Sequence, residues 1–269
     1  MGTHSLNNLV VAIKSGGEMG SAVAWTLFQA GLRRILILET ARPLAVRRTI
    51  SFCEAVYDGT SVVEQVPGQL VANVHEASLL WEQGQIPILV DPTWASLGTL
   101  TPHVVVDAII AKRNLGTSMT EAPLVIGMGP GFKAGQDVHV VVETQRGQDL
   151  GQIITTGEAR PNTGIPGDTG GFTKERVLRA PVDGLLTWAC ALGDMVTKGQ
   201  ILGHVAGAAI VAEISGLLRG QIRPHGVVPR GLKLGDIDPR GDTRFLHIIS
   251  DKGRALGNAV LKAIMEFSS

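Results

Sequence analysis

The chain has 269 residues, 44% of them hydrophobic and only 4% aromatic, with 34 glycines. Lys+Arg and Asp+Glu are both 24, and a surface without net charge gives no electrostatic reason to bind nucleic acid or an anionic membrane. No run approaches the ~18 apolar residues of a membrane span, the N-terminal MGTHSLNN lacks the basic and apolar regions of a secretory signal, and Cys53 and Cys190 are too few for a disulfide framework, so a cytoplasmic, reduced protein is expected.

In chain order, LVVAI (9–13) reads as a buried strand and MGSAVAWTLFQAG (19–31) as a helix ending at Gly31. RILILE (34–39) is the next strand, and VHEASLLWEQGQ (74–85) is a covering helix. Further apolar runs follow at 86–91, 103–110, 123–128 and 137–144. Near-continuous Val, Ile and Leu runs suit a parallel sheet covered on both faces. Residues 1–155 are therefore expected to form a doubly wound, mainly parallel, Rossmann-like α/β domain, followed by a Gly/Pro-rich connecting loop at 156–176.

From 177 to 250 the runs shorten, as in an all-β unit, and the sequence repeats. Gly184, Gly199 and Gly203 recur 32 residues later as Gly216, Gly231 and Gly235. APVDGLL (180–186) becomes AEISGLL (212–218), and VTKGQILG (196–203) becomes VPRGLKLG (228–235). Two copies of one hairpin unit, each burying its apolar face on the other, are predicted. The A-P-x-x-G turn at Ala180–Gly184 and the G-D-x-V-x-K-G-Q turn at Gly193–Gln200 make this region resemble the biotinyl/lipoyl-type barrel-sandwich domain. In carriers of that type the hairpin between the halves presents a Lys. Here that hairpin, HVAGAAIVAE (204–213), contains none, and Lys198 lies in the turn inside the first half, so docking is expected rather than a swinging arm. Residues 251–269 are expected to form a closing helix.

The turn after the first strand reads Ser15-Gly16-Gly17-Glu18-Met19-Gly20. Against a G-x-G-x-x-G fingerprint, Gly17 and Gly20 supply the second and third glycines, and Ser15 replaces the first. Glu39 ends the second strand about where a carboxylate meets a ribose 2′-hydroxyl. Glu18, in the first turn of the helix, suits the dipole but repels a pyrophosphate. A nucleotide site and a purely structural turn are both open at this point.

Other candidates fall at predicted strand ends and loops. Arg47 and Arg48, in a loop, can converge on a phosphate. Cys53 can act as a nucleophile or carry sulfur or selenium if cations lower its pKa; a small buried residue is the alternative. Asp107 and Lys112 are the remaining catalytic candidates, with Asp91 and Asn114 nearby at the carboxyl edge where an open α/β sheet binds ligands. Gly129 and Gly131, in GMGPGFKAG (127–135), form a second Gly-rich loop able to cradle an anion, followed by Glu143 and Arg146. Seven scattered histidines (His4, His75, His103, His139, His204, His225 and His247) have no zinc-site spacing. Neither G-x-S-x-G nor a P-loop occurs.

Four longer strings, ETARPLAVRRTISFCEAVYDG (39–59), VVVDAIIAKRNLGT (104–117), APLVIGMGPGFKAGQDVHVVVETQRGQDLG (122–151) and PNTGIPG (161–167), resemble the accessory-protein family of the selenium-dependent molybdenum hydroxylase system. The resemblance runs from about Val10 to Ile264. It implies a Rossmann-like domain and a role in maturing a molybdenum hydroxylase. The family's first loop reads G-x-G-D, whereas this chain has Ser15 and Glu18. Candidate ligands are a molybdenum-pterin dinucleotide or NAD. Candidate partners are the hydroxylase polypeptide, other maturation factors or a second copy of the chain. The alternatives are an NAD-dependent oxidoreductase and a non-catalytic assembly scaffold.

Overall fold

The protein is described by a computed structural model. It covers residues 8–224 and 226–268, so His4 and His225 lie outside the described residues. The chain divides into two compact units that do not follow chain order. The first comprises residues 1–43, 50–162 and 249–269; the second comprises 44–49 and 163–248. The expected linear division into 1–155, 156–176, 177–250 and 251–269 thus differs at two points. The closing helix returns to the first unit, and a six-residue stretch after the second strand belongs to the second.

In the first unit, β1 (Val10–Lys14) leads into α1 (Glu18–Gln29) and β2 (Arg34–Glu39). After the single turn α2 (Ala55–Asp58) come the hairpin β3 (Thr60–Val63) and β4 (Val66–Val71), then α3 (Val74–Glu82), β5 (Ile86–Val90) and the short α4 (Leu97–Leu100). β6 (Val104–Asp107), β7 (Leu124–Met128), β8 (Lys133–Ala134), β9 (Val140–Val142), β10 (Ile153–Ile154) and β11 (Gly157–Glu158) follow. Nine strands form one sheet in the order β10-β9-β7-β6-β1-β2-β5-β4-β3. The seven inner strands are parallel, and the edge strands β10 and β3 are antiparallel to their neighbours. β8 and β11 form a separate two-stranded sheet.

Alternation along the strands builds two cores. Val11 and Ile13 of β1, with Val104 and Val106 of β6, pack on the face that carries α1. The C-terminal helix α5 (Asp251–Ser268) contributes Leu256, Val260 and Ile264 to that core. Gly253 and Gly257 of α5 lie against Ala22 and Thr26 of α1; a Cβ on Gly253 would come within 2.9 Å of the Ala22 methyl. Two small residues at i, i+4 on each helix let the axes approach closely. Ala12, Leu36 and Val105 point to the other face, packed with Ala77 and Leu80 of α3.

The second unit contains β12 (Val177–Arg179), β13 (Gly184–Trp188), β14 (Met195–Val196), β15 (Ile201–Val205), β16 (Ala208–Val211), β17 (Gly216–Gln221), β18 (Val227–Val228) and β19 (Lys233–Asp238). The first residues of β13, β14 and β15 (184, 195 and 201) recur as those of β17, β18 and β19 (216, 227 and 233), again at an offset of 32. Two antiparallel four-stranded sheets result, ordered β12-β19-β17-β14 and β16-β15-β13-β18. Exchanging the two copies of the repeat converts one order into the other. Each sheet therefore takes strands from both copies, and neither copy forms a sheet alone. Equivalent glycines share a conformation: φ is +150° at Gly184 and +152° at Gly216. Gly199 and Gly231 match likewise, at +89° and +81°. Among the described residues, no helix is long and apolar enough to cross a membrane.

Candidate functional site at the carboxyl ends of β1, β2 and β6

The chain leaves β1 toward β2 on one side and later returns to place β6 on the other. The crevice between the carboxyl ends of β1 and β6 is thus the point where strand order reverses, the usual ligand position in an open α/β sheet. Lys14 and Asp107 end these two strands and are register partners. Both side chains leave the sheet on the α3 face, because Val11 and Ile13, or Val104 and Val106, use the other.

Lys14 is fully buried. Its ammonium donates to Thr117 Oγ1 at 2.7 Å and to Glu121 Oε1 at 2.8 Å, and lies 3.6 Å from the centre of the Trp94 ring. Thr117 in turn donates to Asp107 Oδ2 at 2.7 Å. Burial pushes the Lys14 pKa down, opposed by Glu121 and Asp107. Burial likewise raises the Asp107 pKa against its bonds from Thr117 and the Ile109 N–H. Asp107 is therefore a buried partner of Thr117 rather than an open catalytic group. The sequence reading missed Lys14, Thr117, Glu121 and Trp94. One signal was available: a lysine closing an apolar strand, in phase with the buried Ala12.

The turn into α1 is tightly specified. Ser15 has φ +80°. Its N–H donates to the Leu38 carbonyl at 2.8 Å, and its Oγ accepts the Gly17 N–H at 3.2 Å. A Cβ on Gly20 would overlap the Ser15 carbonyl oxygen, so this glycine permits the close helix-strand contact. Gly17 is the N-cap, and the space where its Cβ would stand is open apart from Ser15 Oγ at 3.5 Å.

Glu39 departs from its expected role. Its carboxylate accepts the Gly16 N–H and the Thr40 N–H, each at 2.8 Å, and it is 6% exposed. Burial raises its pKa, against hydrogen bonds from Thr40, Gly16 and Ser15. It closes the turn instead of facing a ribose. Other candidates are also structural. Cys53 is 1% exposed, and its N–H donates to the Gly16 carbonyl at 2.9 Å; burial denies the thiol the access a nucleophile or sulfur carrier needs. Asn114 Oδ1 accepts the N–H groups of Gly116 and Thr117, both at 2.8 Å, fixing the loop that carries Thr117. Asp91 caps its own turn through the Ser96 N–H at 2.8 Å. The Gly129 N–H is bonded to the Val142 carbonyl at 2.9 Å and is not free for an anion. A Cβ on Gly131 would sit 2.5 Å from the Arg113 main chain, so that loop needs glycine for packing.

Arg47 and Arg48 fall in the second unit. Arg47 is buried there and donates to the carbonyls of Phe245 at 2.6 Å and Ile248 at 3.2 Å. Its guanidinium is engaged by main chain, not held open for phosphate. Arg48 begins a 3-10 turn, Arg48–Ile50. His103 and His139 accept the Val10 and Val125 N–H groups at 3.1 and 3.0 Å, closing gaps at strand starts. Among the described residues, no group of three His, Cys, Asp or Glu is placed to hold a metal ion.

Lys112, by contrast, is exposed, as is Arg146 in the loop after β9. Both act on Lys252, in the first turn of α5, whose pKa is lowered by burial first and then by Arg146, with Lys112 adding and Glu18 and Glu143 opposing.

No family model matches the chain. It is 43% identical over 263 residues to the Escherichia coli (strain K12) protein described as the uncharacterized protein YqeB, a match covering 98% of this chain and 48% of that protein. The chain therefore spans about half the length of the curated relative it matches. Among solved structures, TcdA (CsdL) is similar at 14% identity and a TM-score of 0.36, over 97% of this chain and 88% of that one. The product-bound ectoine utilization protein EutE (DoeB) from Ruegeria pomeroyi is similar at 12% identity and a TM-score of 0.24, over 84% and 56%.

Proposed function

We propose that the chain is an accessory protein in the maturation of a selenium-dependent molybdenum hydroxylase, and that its first unit binds an anionic, nucleotide-bearing cofactor as cargo. A molybdenum-pterin dinucleotide carries such a pyrophosphate. The observation that carries this reading is the strand-turn-helix beside the β1/β6 crevice, where Gly17 caps α1 and faces open space. The positive end of the α1 dipole favours an anion there. The strings at 39–59, 104–117, 122–151 and 161–167 supply the hydroxylase connection through their family resemblance.

In this reading the first unit is Rossmann-like and the second is a relative of the barrel-sandwich domains. The β15–β16 hairpin turns at Ala206 and Gly207, without a lysine to modify. The second unit then serves docking, with the hydroxylase polypeptide or another maturation factor as its partner. The rival NAD-dependent oxidoreductase is disfavoured because Glu39 is engaged by the turn itself.

Mass analysis of whatever small molecule co-purifies with the protein tests the ligand. A phosphate-bearing pterin is expected, and it should be lost from Gly17→Val while the fold remains. Recovery of NAD from the natural chain, lost in the same variant, would move the oxidoreductase reading to first place.

A further inference from the structure

A cavity of about 530 Å³ lies in the second unit between β12 and β16. Residues 177–179 and 209–211 line it, three consecutive residues from each strand. Successive side chains alternate between faces, so a cavity that meets three in a row meets each strand along its edge. Both strands end their sheets. The two triplets stand 32 positions apart, the offset of the repeat, and are therefore the same edge in its two copies.

These equivalent edges are not alike in chemistry. Short strands, charges and prolines keep an edge from pairing with other chains. β14 and β18 have two residues each, and Pro229 follows β18. β12 carries Arg179, Pro181 follows it closely, and its Val177 N–H is taken by the Lys174 carbonyl at 3.0 Å. β16 has none of these devices. It reads Ala208-Ala209-Ile210-Val211, with Ala208 and Val211 where the first copy has Arg176 and Arg179. The Ala212 N–H donates to the Gln200 carbonyl at 3.0 Å, toward the β15 side. Bonding alternates along an antiparallel strand, so Ile210 also bonds inward, and Ala209 and Val211 turn their N–H and C=O groups to the free edge.

We propose that β16 is a docking edge that takes one extended, uncharged segment of a partner protein as an added strand. The proposal rests on the docking reading of the second unit and deepens it. A slot between two edges fits a single strand, whereas a second copy of the chain would bring its own β12 along with its β16. The charges lining the slot balance, Lys174 and Arg179 against Glu175 and Glu213, so a strongly charged segment gains nothing there. Val211 and its register partner Ile201 are 43% and 49% exposed. β-branched side chains on the added strand extend that row across the sheet.

The test is fluorescence anisotropy of a labelled, capped peptide of alternating valine and threonine, titrated with the full chain. Saturable binding is expected, little changed by added salt. The peptide should slow hydrogen exchange of the Ala209 and Val211 amides more than that of Ile210, which is already bonded. Val211→Pro removes an outward donor at a position where an edge strand tolerates proline, and should weaken binding about tenfold or more. Ala209→Lys, which keeps the backbone and alters an exposed side chain, should weaken it likewise. Absence of saturable binding, steep weakening with salt, or unprotected Ala209 and Val211 amides would each overturn the proposal. Self-association of the natural chain that Ala209→Lys abolishes would give the edge to a second copy and overturn it too. Peptide pairing at β16, in a host whose hydroxylase is fully selenated without the protein, would keep the docking edge and remove the maturation role. A hydroxylase that needs the protein, with no pairing at β16, would remove this site alone.

Discussion

Glu39 shows how one carboxylate can hold a ligand-edge turn in shape. It takes the Gly16 and Thr40 N–H groups, and its pKa is raised by burial. Glu39→Ala leaves those donors without their acceptor and should lower stability by about 1–3 kcal/mol, read from the urea midpoint. The pH dependence has a definite sign. A carboxyl whose folded pKa exceeds its unfolded one holds more protons when folded, so stability falls as pH rises from about 4 through the raised value. Asp107 contributes in the same direction. Glu39→Gln should therefore shrink, without abolishing, the fall in urea midpoint above pH ~4; an unchanged slope would show that Glu39 does not titrate there. Lys14 is the other residue-scale test. Removing it by Lys14→Met leaves the Glu121 and Asp107 carboxyls without their cation, at a cost of about 3–5 kcal/mol. The fingerprint reading placed the close helix-strand contact at Gly20, where a Cβ would overlap the Ser15 carbonyl oxygen. It misread Glu39, because spacing locates a carboxylate but not the donors it faces.

At the scale of elements, apolar runs made most inner strands legible, and the offset of 32 made the internal repeat legible before any coordinates. The β3–β4 hairpin was not. Its two-residue turn is Glu64-Gln65, with φ +42° and +71°, where the usual sequence mark would be Asn-Gly. Glu64 holds that place for another reason. Its Oε1 accepts from Arg254 at 2.6 Å and from the Ile249 N–H at 2.7 Å, tethering the start of α5. Gln65 is exposed, so Gln65→Gly should relieve left-handed strain and raise stability by up to about 1 kcal/mol in thermal unfolding. In the repeat, Gly184→Ala and Gly216→Ala should each cost about 1–3 kcal/mol, because both positions hold φ near +150°. A large loss at one and none at the other would contradict the equivalence of the two halves.

At the scale of the whole molecule, chain order concealed the two departures from a linear division. The pattern of 251–267 announces an amphipathic helix, but its docking on α1 depends on the Gly253/Gly257 and Ala22/Thr26 surfaces meeting, which periodicity alone does not specify. Arg47 looked like a phosphate ligand because two adjacent arginines in a loop carry no sign of the carbonyls that engage one of them. The proposal to be tested at this scale is that the chain binds an anionic, nucleotide-bearing cofactor in the maturation of a molybdenum hydroxylase. Its most direct test is deletion of the protein in a host with a selenium-dependent molybdenum hydroxylase, grown selenium-replete, followed by assay of the purified hydroxylase for activity and labile selenium. The hydroxylase polypeptide should accumulate but lack activity or its labile selenium; a fully active, fully selenated enzyme would contradict the account.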